Sequence, residues 1–407
     1  MRLPARGVSE MRLTARGVSE MRLTARVGRL GTDFATSARR LRYWPGPRDG
    51  AAEHRPRSAM RATIFHAPGR VTVEDRPTPV AGPGEVRLRV AATSLCASDV
   101  RVYRGEKYAL PGVIPGHEVA GVVDQLGEGV TGIAEGDRVI LCPIVACNRC
   151  RYCLLGRRNR CVERKTLGYD LDGGFAEHLI VPASLVASGH VIGIPDALPL
   201  DLAAITEPAA CTLASLELCA VGAGASMLIM GAGPMGMLHL LLGRALGAGP
   251  IIVTEPMAER RAIASRWGAD IVLDPAVDDI AGAVKAATGD GADAVIVSVG
   301  LGEMVAPALS YVRPQGVVNL FAGFAKGAPA VPFDPNLVHY GEVILTGSQN
   351  ATTDQYRRTT HLLGQTPHID EVVTNRYGIE HAPEAYSARL ALDGLKSLVQ
   401  FPGVDRA

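Results

Sequence analysis

The sequence predicts an α/β protein of two domains, one built from short β-rich runs and one from strands that alternate with helices. Two observations support this prediction. A chain of 407 residues is longer than the roughly 250–300 residues at which a single hydrophobic core stops growing. The apolar pattern also changes near residue 210, from short runs broken by Gly and Pro to apolar runs separated by helix-length segments.

The first 59 residues differ in composition from the rest. They contain a near-repeat, MRLPARGVSE followed by MRLTARGVSE, and hold 13 Arg, no Lys and five acidic residues. They lack the apolar stretch of a secretory signal, although an Arg-rich start has some transit-peptide character. Since Met60 begins a segment that reads as an ordinary protein start, we predict that residues 1–59 are a disordered tail outside the fold.

The charge and hydropathy of the remaining sequence exclude several classes of partner. It is mildly acidic, whereas nucleic-acid binders usually carry a basic patch or stripe on the folded domain. There is no uncharged apolar run of about 18 residues, so no membrane span is expected. We therefore predict a soluble protein that acts on a small molecule and binds neither nucleic acid nor a membrane.

The strand and helix patterns fall into three regions. From Met60 to about Asp201, β-rich runs such as EVRLRVAATS are broken by Gly and Pro. From about Cys211 to Gly347, apolar strands alternate with helical stretches, which predicts βαβ units and a parallel sheet. The last 60 residues return to a mixed pattern and end in the strand-like SLVQF.

Four of the eight cysteines crowd into one short loop as Cys147-x2-Cys150-x2-Cys153-x7-Cys161. Four soft thiolates at this spacing can surround Zn²⁺ as a tetrahedron, which leaves no open position, so this zinc is predicted to be structural. In a chain of this size the cluster favours a metal over a disulfide scaffold, and hence a reducing cytoplasm. A zinc-ribbon binding module is the alternative interpretation.

The segment Gly231-Ala-Gly233-Pro234-Met235-Gly236 follows a strand-like run and opens a helical one, the setting that a dinucleotide fingerprint needs. Gly231 allows the tight turn, Gly233 lets the backbone approach a pyrophosphate, and Gly236 permits close packing of helix on strand. Glu255 ends the next strand-like run, where a carboxylate accepts hydrogen bonds from the ribose hydroxyls and repels a 2′-phosphate. NAD is therefore expected rather than NADP.

Two further motifs, Cys96-Ala-Ser98-Asp99 and Gly-His117-Glu118, are unremarkable when each is taken alone. Together with a structural-zinc loop and a dinucleotide fingerprint they point to a second metal. Cys, His and Glu supply a mixed sulfur, nitrogen and oxygen site, and three protein ligands with one open position form the catalytic arrangement of zinc.

This order of parts resembles the zinc-containing alcohol dehydrogenases of the medium-chain dehydrogenase/reductase family across nearly all of residues 60–407. The matching segments are LCASD, GHEVAGVV, GDRV, the four-cysteine loop, GGFAEH, TEPAAC and GAGPMG. The resemblance implies a GroES-like catalytic domain at 60–209, a Rossmann NAD-binding domain at 210–349, and a C-terminal segment, 350–407, that completes the catalytic domain.

The resemblance also implies individual roles. Cys96 and His117 match catalytic zinc ligands, and Ser98 matches the hydroxyl that receives the alcohol proton. Glu207 in TEPAAC stands where ordinary alcohol dehydrogenases have a cysteine ligand, which is similar to the sorbitol and polyol dehydrogenases. The resemblance implies that one glutamate binds zinc while the other holds a zinc-bound water, and the sequence leaves open which of Glu118 and Glu207 does which.

Other positions concern the cofactor and the substrate. Arg260 resembles an adenosine-side arginine of the family, and Ala322, Gly323 and Phe324 are expected near the nicotinamide. Arg101 replaces a histidine that often ends the proton relay, and a protonated Arg is not an ordinary proton acceptor. The relay then ends in solvent, or Arg101 binds an anionic group, which keeps a sugar-alcohol phosphate open as a substrate.

The combined prediction is zinc-dependent, NAD-linked oxidation of a secondary alcohol of a polyol, sugar alcohol or aminocyclitol to a ketone. Two zinc ions per chain are expected, and the resemblance implies a homo-oligomer. Zinc acts as the Lewis acid, Ser98 accepts the proton, and hydride passes to the nicotinamide. A threonine-type dehydrogenase, a zinc-free reductase of the same fold and a non-enzymatic zinc- or nucleotide-binding protein are the alternatives.

Overall fold

Short strands dominate the first part of the chain, as the runs broken by Gly and Pro predict. The computed structural model describes residues 59–325, 327–401 and 403–404, so all of the predicted tail except Ala59 lies outside the described residues. The elements of this part are β1 (Ala59–Ala67), β2 (Arg70–Pro77), β3 (Val86–Ser94), α1 (Ala97–Tyr103), β4 (Glu118–Leu126), β5 (Arg138–Leu141), β6 (Ile144–Val145), α2 (Arg151–Leu154), β7 (Lys165–Thr166), β8 (His178–Val181), α3 (Ala183–Ala187), β9 (Val191–Gly193) and α4 (Leu200–Ala203).

The second part alternates strands with helices. Its elements are α5 (Thr206–Leu218), β10 (Met227–Met230), α6 (Pro234–Ala245), β11 (Ile251–Thr254), α7 (Ala258–Arg266), β12 (Ile271–Leu273), α8 (Ile280–Thr288), β13 (Ala292–Val297), α9 (Val305–Tyr311), β14 (Val312–Leu320), α10 (Pro335–Gly341), β15 (Ile344–Gly347), α11 (Thr353–Leu363), β16 (Val373–Gly378), α12 (Ala382–Leu390) and β17 (Lys396–Gln400). Short 3₁₀ turns occur at 158–160, 302–304, 370–372 and 379–381.

Seven strands form the first large sheet, in the order β16-β17-β3-β4-β5-β9 with β8 also paired to β3. All its pairs are antiparallel except β16 with β17. The C-terminal strand β17 enters beside β3, where Leu398 pairs with Ser94. The end of the chain therefore contributes side chains to the region around the start of α1.

Six parallel strands form the second large sheet, in the order β12-β11-β10-β13-β14-β15. Strands β10 and β11 are buried along their whole length, as expected for strands covered on both faces. The strand order reverses between β10 and β13, and ligands bind at such a reversal in open α/β sheets. The two sheets confirm the predicted fold class.

The boundaries between the predicted domains stay predictions. Helix α5 runs through the boundary placed at residue 209, and it packs against both α6 and α11. The largest cluster of buried apolar side chains includes residues of both parts and of this helix, while a second cluster covers the other face of the parallel sheet. Within the described residues, no helix has both the length and the apolar character needed to cross a bilayer.

The glycine turn after β10 leaves no room for a side chain at Gly231 or Gly236. Gly231 has φ of +102°, a conformation that L side chains rarely adopt. A Cβ placed on Gly236 would lie 1.8 Å from the carbonyl oxygen of Gly231. The helix α6, which begins at Pro234 with Gly233 as its N-cap, can therefore approach β10 only with glycine at both positions.

We predict that Gly236→Ala lowers the free energy of unfolding by about 2 kcal/mol or more, because the added methyl group must push the backbone apart. Gly222→Ala is the matched control, since a Cβ there meets no atom within 4 Å, and it should change stability by less than about 0.5 kcal/mol. Urea unfolding of both variants measures the difference. Equal stability of the two would contradict the steric account of the turn.

Candidate active site and metal centres

The four cysteines of the predicted structural zinc site come together in the loop that contains α2. Their sulfur atoms all lie within 4.8 Å of one another. Cys150 Sγ is 3.5 Å from Cys153 Sγ, and Cys147 Sγ is 4.0 Å from Cys153 Sγ. A tetrahedral Zn²⁺ with Zn–S bonds of about 2.3 Å requires sulfur separations of about 3.8 Å. The four thiols therefore fit zinc in both chemistry and spacing.

The loop backbone also favours thiolate at this site. The N–H of Cys147 donates to Cys161 Sγ at 3.2 Å, and the N–H of Cys150 donates to Cys147 Sγ at 3.3 Å. Hydrogen bonds from the backbone of Cys153 and of Val162 lower the pKa of Cys150 to about 6. Thiolate is the form that binds metal, so this shift favours Cys150 as a ligand, whereas burial raises the pKa of Cys153 to about 12.

Replacement of Cys153 by Ala should remove about one zinc per chain and lower the melting temperature, because a structural zinc contributes directly to folding free energy. Metal analysis and thermal unfolding measure the two effects. Cys219→Ala is the control, since Cys219 is a buried free cysteine at the end of α5, outside this loop. Full zinc content in Cys153→Ala would exclude the loop as a metal site.

A second cluster lies where α1 begins and β4 starts. Cys96 is the N-cap of α1, His117 precedes β4, and Glu118 opens that strand. One ligand atom from each of the three lies within 4.8 Å of the others. His117 is 5% exposed and Glu118 is fully buried. The structure thus brings together three of the four residues predicted to surround a catalytic zinc.

Asp99 orients the histidine of this cluster. Its Oδ1 lies 3.4 Å from His117 Nδ1, while its Oδ2 accepts a hydrogen bond from the backbone N–H of Cys96 at 2.9 Å. Burial acts to lower the pKa of His117, but the charge and hydrogen bond of Asp99 outweigh it and raise that pKa well above its usual value. With Nδ1 held by a carboxylate, Nε2 is the nitrogen left for a metal.

Glu118 is held from the far side by a lysine of the last strand. Lys396 Nζ lies 2.5 Å from Glu118 Oε2 and also donates to the carbonyl oxygen of Leu95 at 3.2 Å. The other carboxylate oxygen, Oε1, is buried and has no hydrogen-bond partner among the residues that the structure describes. A buried polar atom normally has a partner, so this oxygen is available to a cation beside Cys96 and His117.

Glu207 lies in the first turn of α5 and is not part of the group whose ligand atoms lie within 4.8 Å among the described residues. Its Oε1 accepts a hydrogen bond from Cys211 Sγ at 3.6 Å. Burial raises the pKa of Glu207, a shift that His117 and Lys396 oppose and that Glu118 reinforces. Of the two glutamates, Glu118 is the one next to the cysteine and the histidine.

Lys396→Met should lower the free energy of unfolding by about 3–5 kcal/mol, because it leaves the Glu118 carboxylate buried without its counter-ion. The double variant with Glu118→Gln should recover much of this loss, since no buried charge then remains. Lys165→Met, at an exposed lysine, is the control for loss of a positive charge. Additive effects of the two substitutions would show that the pair is not coupled.

Ser98 reaches the same cluster through a tyrosine. Ser98 Oγ lies 2.6 Å from Tyr169 Oη, which in turn is 3.2 Å from His117 Nδ1. Burial raises the pKa of Tyr169 well above its usual value, so its hydroxyl stays protonated. Tyr169 therefore fixes the orientation of the serine predicted to accept the alcohol proton.

The predicted nicotinamide segment meets α1 through an arginine. The guanidinium of Arg101 donates to the carbonyl oxygen of Phe324 at 3.3 Å and lies 3.6 Å from Glu106 Oε2. Arg101 and Gly323 line one cleft of about 250 Å³, which is also lined by Ala97, Val100, Arg104, Glu106, Gly300, Ala325, Arg389 and Leu392. Since Arg101 is bound in this way, it takes no part in the hydrogen bonds of Ser98.

Glu255 lies directly beneath the glycine turn. Its Oε2 accepts the backbone N–H of Ala232 at 2.7 Å, and its Oε1 accepts that of Met257 at 3.0 Å. Arg260 lies beside the same turn, since its Nη1 would be 3.9 Å from a Cβ placed on Gly233, and its Nη2 donates to the carbonyl oxygens of Leu392 and Gly394 at 3.2 and 3.4 Å. The adenosine contact of Arg260 stays a prediction, whereas Glu255 is where a ribose-binding carboxylate is expected.

Three residues that contact the site were missed in the sequence. Tyr169 and Lys107 lie in loops without a motif of their own, and Lys107 Nζ is 3.7 Å from the centre of the Tyr169 ring. The sequence did give a signal for Lys396, because it stands next to the apolar run of a predicted strand. A lysine that is buried in this way usually has a partner of opposite charge. The partner itself, 278 residues away, could not be read from the pattern.

Two clusters of metal-ligand type and a glycine turn on a parallel sheet define the class of protein, a two-domain zinc-binding dehydrogenase. Residues 82–195 match the alcohol dehydrogenase GroES-like domain, and residues 234–365 match the zinc-binding dehydrogenase family. The chain belongs to the zinc-containing alcohol dehydrogenases of the medium-chain dehydrogenase/reductase family, which confirms the resemblance found in the sequence.

Several relatives are similar over most of their length. L-Threonine 3-dehydrogenase of Pyrococcus furiosus is 34% identical over 76% of this chain and 88% of the relative. Sorbitol dehydrogenase of Halalkalibacterium halodurans is 30% identical over 82% of this chain and 96% of the relative. A crystal structure from Sinorhizobium meliloti, described as a zinc-binding dehydrogenase bound to NADP, superposes with a TM-score of 0.77 at 30% identity, covering 85% of this chain and 100% of that one.

Proposed function

We propose that this protein oxidises a secondary alcohol of a polyol, sugar alcohol or aminocyclitol to a ketone, with zinc and NAD. The observation that carries the proposal is the cluster of half-buried Cys96 with buried His117 and Glu118, next to Ser98. A thiol, an imidazole and a carboxylate form a donor set that suits zinc, and three protein ligands leave a position for substrate. Zinc, when bound, supplies a Lewis acid that lowers the pKa of the alcohol.

The residues around the cluster have separate tasks in this proposal. Ser98 Oγ accepts the hydroxyl proton, and Tyr169 Oη holds that oxygen in position at 2.6 Å. Asp99 fixes the ring of His117, and Lys396 fixes Glu118. Glu118 is the proposed carboxylate ligand. Glu207 lies farther from Cys96 and His117, and burial raises its pKa. In this proposal Glu207 contacts the water or substrate at the position that the three zinc ligands leave open.

NAD is the proposed hydride acceptor, and Glu255 supports this choice. Its buried carboxylate lies under the turn where the pyrophosphate is expected, and a negative charge there opposes a 2′-phosphate. Gly231, Gly233, Pro234, Met235 and Gly236 form the turn itself. The similar Sinorhizobium meliloti protein binds NADP, so the cofactor has to be tested directly on this chain.

Threonine is the second candidate substrate. The relatives named L-threonine 3-dehydrogenase reach 34% identity, above the 30% of the relative named sorbitol dehydrogenase. The same ligand cluster and the same serine serve either secondary alcohol. We further propose a cytoplasmic homo-oligomer, and the finding that all eight cysteines are free thiols supports a reducing compartment.

The test is NADH formation with sorbitol, xylitol, inositols, an aminocyclitol and threonine, with NADP run in parallel, together with zinc analysis of the full chain. We expect two zinc ions per chain and NAD-linked turnover of at least one alcohol. Cys96→Ala should lose roughly 100-fold or more in kcat/KM, because it removes a metal ligand, whereas Cys219→Ala should stay active. Bound zinc without turnover would instead indicate a binding protein on a dehydrogenase fold.

A further inference from the structure

Lys107 places a positive charge next to the proposed alcohol site, on the loop that follows α1. Its ammonium nitrogen lies 3.7 Å from the centre of the Tyr169 ring, over one face. The hydroxyl of that same ring contacts Ser98 Oγ at 2.6 Å and His117 Nδ1 at 3.2 Å. A single aromatic ring therefore separates the lysine from the proposed proton acceptor and from a proposed zinc ligand.

The loop backbone holds Lys107 in this position. The N–H groups of Glu106 and Lys107 both donate to the carbonyl oxygen of Arg101, at 2.8 and 3.2 Å. These two hydrogen bonds end α1 and reverse the direction of the chain after it. The position of the ammonium is thus set by the helix that also carries Cys96 and Ser98 at its start.

The ammonium has no hydrogen bond or ion pair with any residue among the described ranges of the chain. Lysine carries three N–H donors, and a ring face satisfies the charge without occupying those donors as an acceptor oxygen would. Burial on the inner side lowers the pKa of Lys107, although Cys96 and Asp99 oppose the shift. Lys107 is exposed as a whole residue, and its donors are open to a ligand.

The arginines of the neighbouring cleft do not lead to the same conclusion. Arg101, Arg104 and Arg389 line the cleft next to Gly300 and Gly323, where an anionic dinucleotide could account for them. Lys107 is not among the residues that line that cleft, and it contacts the ring that carries the proton-acceptor network instead. Lys107 therefore lies on the side of the site that holds Tyr169 and Ser98, and not in the cleft.

We propose that Lys107 is a specificity-determining residue that binds an anionic group, a carboxylate or a phosphate, on the secondary alcohol that this enzyme oxidises. The inference rests on the proposed function and narrows its substrate class from neutral polyols to hydroxy acids or sugar-alcohol phosphates. Charge-assisted hydrogen bonds from an ammonium to such a group are stronger than those between neutral partners. A neutral polyol offers this ammonium no charged partner of its own.

The test compares kcat/KM for sorbitol with that for gluconate and for sorbitol 6-phosphate, and kcat/KM for 2-butanol with that for 3-hydroxybutyrate. The full-length zinc-loaded enzyme is assayed as wild type, Lys107→Met and Lys107→Arg. Lys285→Met, at an exposed lysine of α8, is the matched control. We expect the wild type to prefer an anionic member, and its identity shows whether carboxylate or phosphate is recognised.

Lys107→Met should lower kcat/KM for the preferred anionic substrate by about 10- to 100-fold and change the matched neutral alcohol by less than about threefold, because only the charge contact is lost. Lys107→Arg should retain most of the preference, and Lys285→Met should leave every value unchanged. An equal loss of kcat/KM on neutral and anionic substrates would show that Lys107 only supports Tyr169. A wild type that prefers neutral alcohols would overturn the inference about Lys107 but not the proposed function. Inactivity of the wild type with every alcohol would remove the proposed function as well.

Discussion

A fully buried carboxylate is the constraint on which the proposed active site depends. Glu118 opens β4 with no exposed surface, and an isolated buried charge is too costly to keep. Lys396 compensates one of its oxygens, which requires β17 to pair with β3 and so ties the C-terminal strand to the first sheet. The second oxygen has no hydrogen-bond partner within the described part of the chain, and a cation beside Cys96 and His117 would complete the balance of charge.

The polar side chains around Glu118 and Lys396 are also held by hydrogen bonds and close polar contacts. Asp99 joins the backbone of Cys96 to the ring of His117, and Tyr169 joins that ring to Ser98. Each of these side chains therefore holds its neighbour in one orientation before any metal or substrate is bound. In the second sheet, Glu255 has the corresponding task, because it ties the backbone of the glycine turn to the end of β11.

The fold and the two ligand clusters could be predicted from the sequence because their signals are local. The four cysteines lie within 15 positions, and the glycine turn sits between a strand-like and a helical run. Gly231 and Gly236 proved necessary for the steric reasons that the motif implies. The choice between the two glutamates could not be made from the sequence, since it depends on which carboxylate the folded chain places beside Cys96.

Contacts between distant segments set the limit of the prediction. Lys396 and Glu118 are 278 residues apart, and Lys107 meets Tyr169 only because a loop after α1 lies against a loop before β8. Arg260 is a similar case, because its hydrogen bonds to the carbonyl oxygens of Leu392 and Gly394 join segments more than 130 residues apart, while its contact with adenosine stays a prediction.

The most direct test of the central claim is a crystal of the full chain measured on both sides of the zinc absorption edge. The account predicts two anomalous peaks per chain, one among Cys147, Cys150, Cys153 and Cys161 and one between Cys96, His117 and Glu118. A single peak at the four-cysteine loop, in crystals grown with zinc, would contradict a catalytic metal and with it the proposed alcohol oxidation.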